Sequence, residues 1–187
     1  MQNFFKRAVN YLSKYEIAFK GLKEGNHQFD FELDDKFFEK FENSEVKKGS
    51  LKASIQLTKQ STLMIFEFAV KGTVELMCDR CLDQYNQKVN NTSKLFVKFG
   101  LEEEEMSDDV IVISFEDHQI NVAQFLFELV ILGLPIKHVH PNKKGQSTCD
   151  PEMIKKLDEY LIKEVSVDYE EPVDERWSEL KKLLDNK

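Results

Sequence analysis

The sequence predicts an α+β protein in which a mainly antiparallel sheet, curled or barrel-like, is followed by C-terminal helices. Apolar residues recur at every second position through much of residues 15–115, which is the period of half-buried strands. From about residue 120 onward they recur at three- and four-residue spacing, which is typical of amphipathic helices. Strands first and helices last is the order of an α+β fold. We therefore expect one domain over residues 1–187, β-rich over 15–115 and helical over 120–187.

Turn-forming residues separate the predicted strands. Alternation is clearest where Phe29, Phe31 and Leu33 share one face, and Gly72 lies in the longest run as a predicted bend or bulge. A short helix or turn is expected over residues 34–43, and residues 78–83 should interrupt two strands. The strands are predicted at residues 17–19, 27–33, 47–58, 63–77, 87–99 and 110–115.

Three later segments carry helix signals. Asn121 and Asp174 are candidate N-caps, and Asp150 is followed by Pro151 at the first helical position. Leu or Ile residues at helical spacing follow each signal. Helices are therefore predicted over residues 121–132, 151–162 and 174–184.

The composition indicates a soluble globular protein, with 41% hydrophobic and 32% charged residues. No run approaches the ~20 apolar residues that span a bilayer, so we expect a cytoplasmic protein with no membrane partner. The net charge of −8 is uneven: residues 1–100 hold 16 Lys and Arg against 13 Asp and Glu, whereas residues 101–187 hold 10 against 21. The acidic half disfavours nucleic acid over the whole surface and suits a basic partner, although it is also typical of a solvated surface that keeps a protein soluble.

Cysteine and histidine residues form the one constellation with chemical content. Cys78 and Cys81 have the C-x-x-C spacing that lets two thiolates bind one Zn²⁺. Downstream, His138, His140 and Cys149 supply further candidate ligands. A Cys₃His set of Cys78, Cys81, His140 and Cys149 is the predicted zinc site.

Other interpretations of these residues stay open. The two close cysteines are also typical of small residues in a hairpin turn, and the two histidines of one face of an extended segment. A thiol redox pair is a third interpretation, although its β-rich surroundings differ from the strand-to-helix context of thioredoxin-like motifs. No nucleotide-binding, serine-hydrolase or metalloprotease motif is present in the sequence. A non-enzymatic protein is expected, with a zinc-dependent or thiol enzyme as the alternative.

Three segments follow one another along the chain: VELMCDRCLDQYNQKV, LGLPIKHVHP and DERWSELKKLL. They resemble, in this order, the cysteine hairpin, the Leu-Pro helix end with an apolar-His pair, and the closing helix of the YceD family of large ribosomal RNA subunit accumulation proteins. The resemblance covers about residues 15–187 in the same order. One departure is that many relatives carry a second cysteine cluster, where this chain has Cys149 alone. The family positions are Cys78, Arg80, Cys81, His140, Cys149 and Arg176.

The resemblance implies a non-enzymatic role in the accumulation of large-subunit ribosomal RNA. The expected partner is that RNA or a basic ribosomal protein, and the acidic half of the chain favours the protein. Basic residues interleaved with strand aromatics in the first half favour RNA, although they are equally typical of the polar face of alternating strands. The candidate contacts are Lys47, Lys48, Lys52, Lys59, Arg80, Lys88, Lys94, Lys98 and Arg176.

Overall fold

A computed structural model describes residues 12–42, 44–100, 109–141 and 148–161 of the chain. A 3-10 turn lies at Leu12–Tyr15. The strands are β1 Glu16–Ala18, β2 Gly25–Leu33, β3 Lys48–Lys59, β4 Leu63–Met77, β5 Gln84–Phe99, β6 Val110–Ile113 and β7 Gln119–Asn121. The helices are α1 Asp35–Phe38, α2 Ala123–Leu132 and α3 Pro151–Tyr160. The α+β class is confirmed.

Five of these strands form one sheet, in the order β2-β3-β4-β5-β6. Strands β2 to β5 are antiparallel neighbours, and β6 runs parallel to β5. The predicted curling into a barrel is wrong, because β2 and β6 lie at opposite edges of an open sheet. The short strand β1 does not bridge these edges, since it pairs with β7 in a separate two-stranded ladder.

The alternation of each long strand puts one face of the sheet into the core. Ile55, Phe66 and Val97 on neighbouring strands are fully buried on this face. Helix α2 packs against β4 and β5 there, where Phe125 stacks on Phe68. Burying each such side chain stabilises the fold by roughly 1.5–3 kcal/mol. The alternate residues of β3, β4 and β5 therefore form an exposed face.

Gly72 is neither a bend nor a bulge, so that prediction is wrong. It pairs in register with Leu51 on β3 and Val89 on β5, and the ladders continue on both sides. A Cβ at this position would lie 2.3 Å from the backbone oxygen of Ser50 and 2.6 Å from the Cα of Leu51. Glycine is required by this close approach of two backbones.

The helix signals are partly confirmed. The Asp34 carboxylate accepts a hydrogen bond from the Phe37 N–H at α1, and the Asp150 carboxylate accepts one from the Glu152 N–H at α3. Asn121 ends β7, so it precedes the N-cap of α2, but its side chain still accepts from the Ala123 N–H at 2.9 Å. The predicted helix 174–184 lies outside the described residues. Within the described ranges, no helix has the length and apolarity needed to cross a membrane.

Candidate metal centre

The turn between β4 and β5 presents the first two cysteines. The Cys78 N–H donates to the carbonyl oxygen of Asp83, and the Leu82 N–H donates to that of Cys78, each at 2.9 Å. These bonds close residues 78–83 into a tight loop, in which Cys78 and Cys81 are both buried. Leu82 has a φ of 63°, in the left-handed region where a glycine is usual. The loop keeps this conformation although a leucine costs about 1 kcal/mol more than glycine there.

Two hydrogen bonds between Asp79 and His138 hold this turn against the segment after α2. The Asp79 N–H donates to the carbonyl oxygen of His138, and the Asp79 carboxylate accepts from the His138 N–H, both at 2.7 Å. The second bond is charge-assisted, which makes it stronger than a neutral one. Because His138 is fixed in this way, His140 two residues later is carried to the cysteine turn. Nδ1 of His138 itself lies 3.8 Å from the Glu45 carboxylate, and His138 is not a member of the cluster.

The Cys149 side chain, at the start of α3, also lies beside the cysteine turn. This residue directly precedes Asp150, whose carboxylate caps the helix. The Cys149 side chain is 6% exposed and its sulfur lies 3.8 Å from that of Cys78. The helix start therefore fixes the position of this third thiol.

The four side chains form a Cys₃His cluster, in which all ligand atoms lie within 4.8 Å of one another. Nδ1 of His140 lies 3.4 Å from the Cys81 sulfur and 3.6 Å from the Cys149 sulfur. Around a tetrahedral Zn²⁺ with Zn–S bonds of about 2.3 Å, two sulfurs lie about 3.8 Å apart and a sulfur and a nitrogen about 3.5 Å apart. These three separations are close to the edges of such a tetrahedron, and the other pairs of ligand atoms lie within 4.8 Å. The expected convergence of His140 and Cys149 on the C-x-x-C turn is confirmed.

Backbone amides around the cluster favour negative charge on Cys78. Burial alone would raise the pKa of this thiol, but hydrogen bonds from the backbone N–H groups of Cys81, Arg80 and His140, and from the His140 ring, lower it to about 6. At Cys81 burial raises the pKa of the thiol, and the neighbouring thiols raise it further. Hydrogen bonds from the backbone N–H groups of Asp83 and Asp150 lower this pKa, but the net shift is upward. Backbone N–H groups that donate to sulfur stabilise the negative charge of a metal-bound thiolate.

Tyr85 and Arg80 border the cluster. The Tyr85 ring packs against the His140 ring with centroids 5.1 Å apart, which limits the rotation of the imidazole. Burial raises the pKa of Tyr85, and the charges of Cys78 and Asp79 raise it further. The Tyr85 hydroxyl and the Arg80 Nε are buried without a hydrogen-bond partner among the described residues. Arg80, which the sequence suggested as an RNA or partner contact, thus has part of its guanidinium group buried.

Several of the predicted lysine contacts already have partners within the protein. Lys47 donates to the backbone oxygen of Glu42, and Lys59 donates to those of Phe19 and Leu22. Carboxylates of β4 pair with two other lysines, in the ion pairs Lys48–Glu75 and Lys94–Glu67. The remaining members, Lys52, Lys88 and Lys98, are exposed on β3 and β5, whereas Arg176 lies outside the described residues.

Sequence reasoning missed Asp79 and Tyr85. Asp79 lies inside the C-x-x-C motif, so its position was the available signal for a role in holding the turn. Tyr85 follows the turn by two residues, and only the β4–β5 pairing shows that its ring meets His140.

A family model described as large ribosomal RNA subunit accumulation protein YceD matches residues 66–184. The match begins within β4, covers more than half of the chain and includes all four residues of the Cys₃His cluster. No curated protein and no solved structure matches the chain. The chain belongs to the YceD family of large ribosomal RNA subunit accumulation proteins.

Proposed function

We propose that this protein is a non-enzymatic accessory factor in biogenesis of the large ribosomal subunit, and that it acts in the cytoplasm by binding. The family match carries the proposal, because the family is described by its effect on large-subunit ribosomal RNA. The partner is that RNA or a basic ribosomal protein. Both partners are compatible with the uneven distribution of charge along the chain.

The donor set of the Cys₃His cluster supports a structural metal. Catalytic zinc sites keep one position open for water or substrate, whereas structural sites fill all four with protein ligands. Here three thiols, all buried, and one imidazole supply four donors. The alternative, a zinc-dependent or thiol enzyme, would need an open position or an accessible thiolate.

Zinc is the metal we propose for this cluster. Thiolate ligands select soft or borderline ions, and a tetrahedral set of sulfur and nitrogen donors is typical of zinc. Cys78 and Cys81 would hold the ion from the β4–β5 turn, His140 from the segment after α2, and Cys149 from the start of α3. The metal would therefore tie helical segments, which are distant in sequence, to one end of the sheet.

Capture of partners from growing cells tests the binding mechanism. The tagged full-length protein should enrich large-subunit ribosomal RNA or large-subunit basic proteins over their small-subunit counterparts, with RNA sequencing and mass spectrometry as the measurements. An unrelated tagged protein of similar net charge is the control, because a charge of −8 attracts basic proteins without specificity. Equal recovery of both subunits would contradict the proposal.

A further inference from the structure

The exposed face of the sheet carries a group of lysines that lack ion-pair partners. Lys52 on β3 lies directly opposite Lys71 on β4. Lys88 on β5 lies opposite Thr73, which places it diagonally next to Lys71. All three side chains are exposed, and among the described residues none forms an ion pair. We call Lys52, Lys71 and Lys88 the lysine face.

This arrangement opposes the stability of the sheet. Like charges directly opposite each other on neighbouring strands are destabilising. Elsewhere on the same face carboxylates neutralise two lysines, in the pairs Lys48–Glu75 and Lys94–Glu67, whereas Lys98 lies apart from the group, opposite Leu63. Two carboxylates border the lysine face. Glu32 on β2 lies opposite Lys52 but forms no ion pair with a described residue, and Glu75 lies diagonally next to Lys88 but pairs with Lys48. The three charges are thus left available for an external anion.

The surroundings of the lysine face suit an extended polyanion. Ser54, Asn90 and Thr92 on neighbouring strands are small and neutral, so a chain can approach the sheet closely. A shallow depression of about 200 Å³ borders the lysines, lined by Ser50, Thr73 and Asn86 together with Lys48, Asp35 and Glu75. Its hydroxyl and amide groups are donors and acceptors for a sugar or a base, whereas its two carboxylates already have partners: Glu75 pairs with Lys48, and Asp35 accepts from the Gly49 N–H.

We propose that the lysine face binds the sugar-phosphate backbone of RNA. The choice of RNA as the polyanion rests on the proposed function. The choice of the lysine face as its binding site rests on charge complementarity. Three lysines on adjacent strands about 4.8 Å apart can each reach a phosphate of one strand of RNA. Because the whole chain carries −8, binding is confined to this patch and does not extend over the surface.

Neutralising the lysine face tests the assignment. The full-length Lys52→Gln/Lys71→Gln/Lys88→Gln variant should bind a mixed-sequence single-stranded RNA at least about tenfold more weakly at low salt. The slope of log affinity against log salt should fall by about 2, since each lost contact removes about 0.7 on single strands. The unfolding temperature should be unchanged or higher, because the opposed charges are gone.

A matched control removes three exposed lysines elsewhere. Lys36→Gln/Lys155→Gln/Lys156→Gln alters net charge equally on α1 and α3, and its RNA affinity should stay within about twofold of the unmodified protein. Equal weakening by both triples overturns the inference, as does absence of RNA binding by the unmodified protein at about 50 mM salt. Displacement of RNA by polyglutamate of equal charge would also overturn it, in favour of an acidic protein partner. These failures leave the proposed function standing if loss of the gene still lowers large-subunit RNA.

Discussion

Replacing Cys149 with serine is expected to abolish zinc retention and to release residues 148–161 from the sheet while the five strands stay folded. Helix α3 has no fully buried residue, and only its partly buried Met153 and Ile154 pack against the core. The metal would therefore be the main attachment of this helix. Structural zinc contributes about 10–16 kcal/mol of apparent binding free energy in zinc-finger peptides, which is far more than two partly buried side chains supply.

Elemental analysis and hydrogen exchange measure the two parts of this result. Protein prepared without chelators should hold one zinc per chain, Cys149→Ser none, and the amides of α3 should exchange faster in the variant. All three cysteines belong to the cluster, so the matched control is Thr148→Ser, which keeps a hydroxyl for the bond to the Pro141 oxygen. Stoichiometric zinc in Cys149→Ser, or none in the unmodified protein, would exclude the four-ligand zinc site.

Replacing Gly72 with alanine is expected to lower the free energy of unfolding by about 3 kcal/mol or more. The added methyl would meet the Ser50 oxygen at 2.3 Å, and both contacts closer than 3.0 Å are to backbone that cannot rotate away. The strands β3 and β4 would have to separate locally, in the middle of the sheet. Urea denaturation measures the change.

Gly21→Ala is the control for the glycine substitution. A Cβ at Gly21 meets nothing within 4 Å, so the same chemical change should be neutral or stabilise the protein by about 0.4–1 kcal/mol through the unfolded chain. Similar losses in the two variants would show that the close approach at Gly72 is not what requires a glycine.

Local pattern was sufficient to predict most of the sheet. Apolar pattern and turn residues identified six strands within a few residues of β1 to β6, because one face of each is apolar or partly buried. They did not identify β7, a three-residue strand whose only signal is its pairing with β1. Sheet closure and the role of Gly72 also depend on which strand lies beside which. Such long-range pairing has no signature in a single segment.

The Cys₃His cluster was more predictable than the lysine face, for a chemical reason. Thiols and imidazoles are few in this chain, so their residue types alone suggested Cys78, Cys81, His140 and Cys149 before any geometry was known. Lysines are common on strands, and what distinguishes Lys71 is its position opposite Lys52. The hydrogen bonds between Asp79 and His138 likewise join residues that are 59 positions apart in the sequence. Register and long-range contacts, rather than residue types, decide these features.

The ratio of mature large-subunit to small-subunit ribosomal RNA in cells lacking the gene tests the proposed role most directly. The ratio should fall in the deletion strain and return to its normal value when the unmodified protein is supplied from a second copy of the gene. Cys149→Ser, supplied at the same level, should restore it less well, because the proposed zinc would no longer hold the helical segments at the end of the sheet. A normal ratio in the deletion strain at every growth rate would contradict a role in large-subunit biogenesis.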